Sequence, residues 1–201
     1  MEPNKTHVRL RDALLEFVAE NPSPTLDPFR DALANWGHDW IAAAAVYLPV
    51  SDFLTAALAG TNTQTHALTD LFRRENEKLK WEQTYTKADG VVSDDMLQRY
   101  GFVEIIGKRG PFVSDKVRCG IGVFGPNVQY PMHYHGAEEL YFLLSGSAHF
   151  RFDDGPVEVR EVGDMVYVPS MMKHGFDILD KPLVIFYIWQ AGDLREKSKF
   201  V

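Results

Sequence analysis

The 201-residue chain has one cysteine, Cys119, so no disulfide can form within it, and a lone thiol in an apolar β-rich run reads as a small buried hydrophobe. It also lacks a membrane-length apolar run. The longest, Trp40 to Val50, falls well short of the roughly 20 residues that a spanning helix needs. The polar start, Met1-Glu2-Pro3-Asn4-Lys5, shows no basic segment followed by an apolar one, so no secretory signal is expected and the cytoplasm is the expected location. Positive charge is not in surplus. The formal net charge of −7 opposes nucleic acid and anionic membrane as partners. There is no internal repeat and no low-complexity linker.

What is present suits one compact unit: 45% apolar residues in a chain long enough to bury a sizeable core. Residues 1–90 read as a helical extension and residues 91–201 as a β-barrel, together forming one structural unit. Val8, Leu10, Leu14, Leu15 and Val18 recur mostly at three- and four-residue steps, an apolar stripe that ends at Asn21-Pro22. Further helices are expected at Pro28 to Trp36, Trp40 to Tyr47, Ser51 to Ala59 and Thr65 to Tyr85, the last with a solvated charged face. After Gly90 the pattern changes to short β-rich runs separated by turns: 102–106, 117–124, 138–144, 148–152, 157–160, 165–168, 174–179 and 183–189. Asp153-Asp154-Gly155 predicts a hairpin turn between two of them.

The segment from Tyr130 to Tyr141 carries the chemistry. Residues two apart on a strand point the same way, so His133 and His135 can approach one ion, and Glu139 and Tyr141 share the same inward face farther on. Two neutral imidazoles and a carboxylate leave room for a fourth ligand and for open positions at a divalent metal. His174, which follows the run from Gly163 to Pro169 and lies on the next strand after a short loop, is the candidate. His7, His38, His66 and His149 lack comparable partners and read as surface or packing residues.

At this point the chain resembles the cupin superfamily. The first cupin motif, HxH(x)3E(x)6G, is met by His133, His135, Glu139 and Gly146; the second, G(x)5P followed by a His, by Gly163, Pro169 and His174. Asn127 stands where a leading Gly is usual, Met171 replaces the Gly after the Pro, and Ile178 replaces an Asn beyond the His. None of the three is a ligand, so these departures bear on turn geometry. The resemblance implies a mainly β fold, a cupin double-stranded β-helix with the helices packed on it, holding one divalent ion. Three imidazoles and a carboxylate accept zinc or iron(II), and equally manganese, cobalt or nickel.

The run from Tyr130 to Gly146, the helical extension and Trp189 together resemble the DddQ-type dimethylsulfoniopropionate lyases. That resemblance implies a small zwitterionic sulfonium substrate cleaved to dimethyl sulfide and acrylate, with Tyr141 at the position of the family's catalytic Tyr. A carboxylate on the metal would stabilise charge at the carbon that loses its proton. Tyr130, Tyr134 and Trp189 are candidates to hold the sulfonium by cation–π attraction. A cupin dioxygenase would use the same ligands around iron(II), and Tyr141 discriminates between the two. A non-catalytic ligand-binding cupin is a third reading, opposed by four polar ligand residues in an apolar interior. Nothing in the sequence sets the oligomeric state.

Overall fold

Five α-helices precede ten strands in a computed structural model, which describes residues 2–153 and 155–201. The helices are α1 (Lys5–Glu20), α2 (Asp27–Ala34), α3 (Leu54–Ala57), α4 (His66–Glu75) and α5 (Asp94–Arg99). Strands β1 (Tyr100–Ile106), β2 (Val117–Phe124), β3 (Gln129–Tyr134), β4 (Glu138–Ser145) and β5 (Ser147–Phe152) come first. They are followed by β6 (Glu158–Glu161), β7 (Met165–Val168), β8 (His174–Ile178), β9 (Leu183–Gln190) and β10 (Lys199–Phe200). Two antiparallel five-stranded sheets result, in the orders β1-β2-β9-β4-β7 and β10-β3-β8-β5-β6. This is the cupin arrangement, although no strand ladder joins the two sheets into a closed barrel among the described residues. Asp154 of the expected hairpin turn lies outside those residues. Asp153 takes a φ of 40°, and β5 pairs antiparallel with β6 as the turn requires.

The first sheet has two faces because successive side chains of a strand point opposite ways. On β4 and β9, Leu140, Phe142, Leu144, Val184, Phe186 and Ile188 face outward and pack with Leu10, Leu14, Phe17 and Val18 of α1 in one core. The alternate residues Tyr141, Leu143, Ile185, Tyr187 and Trp189 face inward, between the sheets, in a second core. α1 starts at Asn4, whose side chain accepts from the Thr6 backbone N–H at 2.9 Å, and its buried residues lie at helical spacing.

Two helical expectations fail. Trp40 to Tyr47 is extended and mostly exposed, with Ile41 N–H donating to the Pro111 carbonyl and Val46 N–H to the Leu79 carbonyl. Eight residues with an alanine run and no apolar stripe are too few to hold a helix alone, so tertiary pairing decides. The expected helix Thr65 to Tyr85 ends early, because α4 stops at Glu75 and a 3-10 turn follows to Lys78. Beyond it Leu79 and Trp81 are buried at strand spacing, and Glu82 pairs with Phe102 of β1. Their period of two was visible in the sequence.

The two departures from cupin glycines keep glycine-like turns: Asn127 has φ 61° and Met171 has φ 66°. Asn tolerates this left-handed region, whereas for Met it is strained. Met171 is tied down by its N–H, which donates to the His135 carbonyl at 2.9 Å. Motif residue Gly146 has φ 79°, and a Cβ there would collide with the Pro182 carbonyl.

Candidate active site

Three strands bring the ligand candidates together. β3 and β8 pair so that His133 lies directly opposite His174; His135 follows the end of β3, and Glu139 enters from β4. All four are buried. One nitrogen from each of His133, His135 and His174 lies within 4.8 Å of the others, close enough to share an ion. Glu139 Oε2 lies 2.8 Å from His135 Nε2 and 3.3 Å from His174 Nε2.

The proton positions follow from the neighbours. Each Nδ1 faces a backbone carbonyl: Pro131 at 2.8 Å for His133, Ala137 at 3.0 Å for His135 and Met172 at 3.0 Å for His174. A carbonyl can only accept, so each Nδ1 is the donor. In the neutral imidazole this leaves Nε2 with a lone pair. Burial lowers the pKa of His133 to about 3, with His174 adding to the effect, so that imidazole is neutral near pH 7. Burial alone would raise the pKa of Glu139, but a proton shared with Nε2 of His135 and of His174 in the metal-free site would outweigh it and hold the carboxyl below its ordinary range. Nitrogen lone pairs and a carboxylate facing one another at these distances repel unless a positive charge sits among them. A divalent cation supplies it, and the donor set fits zinc, iron(II) or a neighbouring metal.

A buried cavity opens beside these groups, lined by His133, Glu139, Tyr141, Tyr130, Tyr187 and Trp189 among others. Tyr141 Oη lies 3.4 Å from His174 Nε2. Burial raises the phenol's pKa well above its ordinary value, and the charge of Glu139 adds to this. Tyr130 reaches the cavity through an irregularity. Simple alternation would turn it away from His133, but Tyr130 and His133 stand opposite Phe176 and His174, so β3 carries one extra residue and both side chains face inward. Tyr134 does not join them. It sits one residue beyond His133 on the opposite face, half-buried, and does not line the cavity. Trp189 lines the cavity, but its ring is already engaged, stacked on His135 at 4.0 Å and 4.8 Å from the Arg118 guanidinium. That leaves it a poor platform for a second cation.

The sequence reading missed several lining residues. Tyr85, Tyr100 and Phe124 surround Tyr130 at ring separations of 6.0, 5.7 and 5.2 Å and extend the aromatic wall. Phe124 and Arg118 on β2, and Tyr187 on β9, share the parity of residues that face inward, which was the available signal. Tyr85 gave none, because it falls in the segment read as helix. Gly120, opposite Tyr187, makes room for that ring: a Cβ there would lie 2.9 Å from Tyr187 Oη and would collide with the Val103 carbonyl.

The dimethylsulfoniopropionate (DMSP) lyase family model matches residues 32–185. Over 135 residues the chain is 32% identical to dimethylsulfoniopropionate lyase DddQ of Ruegeria pomeroyi, a match covering 67% of this chain and 66% of that relative, just under two thirds of its length. The crystal structure of DMSP lyase DddQ from Ruegeria pomeroyi superposes with a TM-score of 0.85 at 25% identity, covering 98% of this chain and 97% of that one. A structure described as DMSP lyases RdDddP and RnDddQII gives 0.84 at 28% identity over the same shares.

Proposed function

The chain belongs to the dimethylsulfoniopropionate lyase family, and from that premise we propose that it cleaves this zwitterion to dimethyl sulfide and acrylate with Tyr141 as general base. The observation that carries the mechanism is Tyr141, which lines the same cavity as His133 and Glu139 and has its hydroxyl 3.4 Å from His174 Nε2, beside the groups suited to one divalent cation.

The proton to be removed sits on the carbon next to the carboxylate. As that C–H bond breaks, its proton passes to the Tyr141 phenolate and its electron pair becomes the new C=C bond. As the C=C bond forms, the C–S bond breaks with its electrons on sulfur, and neutral dimethyl sulfide departs. No oxidant and no water is consumed. Without a cation, burial and Glu139 hold Tyr141 in its phenol form. A divalent cation held by His133, His135, Glu139 and His174 would favour the phenolate and draw negative charge from the reacting carboxylate. Tyr130, with Tyr85, Tyr100 and Phe124, offers aromatic faces to the sulfonium, which has no hydrogen-bond donor. Burial of the cavity keeps water from competing for either charge.

Headspace detection of dimethyl sulfide after mixing metal-loaded protein with DMSP tests the reading, with acrylate expected in equal amount. Protein that carries stoichiometric metal and releases neither product would overturn it.

A further inference from the structure

Arg118 is the only Arg or Lys in the cavity wall among the described residues, and the reaction as written above leaves it without a task. Its side chain is 8% exposed. Nε donates to Glu104 Oε2 at 2.7 Å, and Glu104 is otherwise occupied, its Oε1 accepting from the Arg109 and Gly110 backbone N–H groups at 2.7 and 3.0 Å. The ion pair is therefore single-pronged, through Nε alone. The usual two-pronged fork would engage an Nη as well, but here neither Nη group donates to any acceptor among the described residues. Tyr187, also on the cavity wall, has a buried hydroxyl with no hydrogen-bond partner, and the Arg118 guanidinium lies 5.9 Å from its ring centroid. A buried hydroxyl left unpaired at a cavity wall, as in Tyr187, is costly unless a ligand supplies a partner.

Resting on the lyase reading, we propose that Arg118 and the Tyr187 hydroxyl bind the substrate carboxylate and so decide which end of the zwitterion enters which side of the cavity. The sheet register supports this placement. Arg118 of β2 stands opposite Trp189 of β9, which stands opposite Glu139 of β4, so Arg118 lies two strands, about 10 Å, from Glu139 at the backbone. Its long side chain spans part of that gap over the Trp189 ring. In the next row Tyr187 stands directly opposite Tyr141. A carboxylate held by Arg118 and Tyr187 thus puts the neighbouring carbon beside the general base. It has two oxygens, so one can accept from the guanidinium while the other faces the imidazoles. The sulfonium, repelled by Arg118, is left with the aromatic wall around Tyr130, which adjoins His133 at 5.1 Å on the opposite flank of the ligand cluster from Trp189 and His135.

Two half-ligands separate the ends of the substrate: acrylate carries only the carboxylate and trimethylsulfonium only the cation. Their affinities are to be measured calorimetrically on metal-loaded wild type, Tyr187→Phe and the double variant Glu104→Gln/Arg118→Met, which removes both charges of the ion pair together. Acrylate should bind about 10- to 100-fold more weakly to the double variant and several-fold more weakly to Tyr187→Phe, as expected for lost hydrogen bonds to a charged group. Trimethylsulfonium should bind as well as before or better. A purely structural Arg118 would move the thermal midpoint and leave the acrylate constant alone. Acrylate binding within two-fold of wild type in Tyr187→Phe and in any folded double variant would overturn the proposal; if the double variant does not fold, unchanged binding in Tyr187→Phe and in Arg118→Gln does the same. Dimethyl sulfide release by the wild type is scored separately, so a carboxylate site that stands in a protein without lyase activity would sink the reaction and not the site.

Discussion

The two faces of the sheet β1-β2-β9-β4-β7 are built from the same strands, yet they are packed for different ends. On the outer face Leu140, Phe142, Leu144, Val184, Phe186 and Ile188 are at most 1% exposed and meet α1, with Phe17 edge-on to Phe142 at 4.8 Å. The inner face, one residue out of phase, buries Glu139, Arg118, Tyr141 and Tyr187, whose polar atoms gain little from being removed from water and need partners. Stability is concentrated on one face and chemistry on the other. Strand alternation lets each face change with little effect on its neighbour.

Separating the faces outright gives the largest effect. Residues 91–201 expressed alone would leave the outer face bare, and we expect an aggregated or molten fragment by size-exclusion chromatography and near-UV circular dichroism. A soluble, cooperatively unfolding fragment with full activity would mean that the helices are dispensable. Next comes loss of the ion: His135→Ala or His174→Ala should strip most bound metal, as read by elemental analysis, and near-stoichiometric metal in both variants would refute the ligand assignment. Tyr141→Phe should leave metal content and thermal midpoint nearly unchanged while turnover falls by about 10²- to 10⁴-fold. If dimethyl sulfide production is largely retained, another group is the base and Tyr130 is the next to test. Phe142→Ala, one residue away, should do the reverse. A cost of about 3–5 kcal/mol in stability is expected from denaturant unfolding, with little change in turnover per folded molecule.

The smallest effect is graded, and its sign follows from His133. Its pKa is lowered from 6.5 to about 3 in the folded chain, so between those values the unfolded state binds more protons. The metal-free protein should therefore lose stability as pH falls from about 6.5 towards 3, and gain none from His133 above 6.5. A thermal midpoint that is flat or rises on acidification would place His133 outside the buried cluster.

Much of the site was legible because three of the proposed ligands are local in sequence, His133, His135 and Glu139 at spacings of two and four, while His174 was marked by the second motif, Gly163 and Pro169. The strands were legible for the same reason, since alternation is a local signal. What escaped depended on contacts between distant segments. Trp40 to Tyr47 has the alanines of a helix but takes its backbone partners from Leu79 and Pro111. Tyr134 looked equivalent to Tyr130 until the extra residue in β3 turned Tyr130 and His133 to the same side. Arg118 carries no motif beyond its parity on β2, and its pairing with Trp189 on β9 places it at the cavity.

The position of β9 also sets how fast the molecule can assemble. It lies between β2 and β4, with Val117 paired to Gln190 and Phe124 to Leu183, so the middle of the first sheet is closed by a strand far along the chain. Such long loops must be closed before their contacts give anything back, which slows folding. Until β9 is seated, β2 and β4 each present an unpaired edge, the kind of surface on which chains stick to one another. The proposed ligands come from β3, the β3–β4 connection, β4 and β8, so the side chains proposed to hold the ion need not wait for that step. Stopped-flow refolding should show the environment of Trp189 becoming native last, in a slow phase whose yield falls as protein concentration rises.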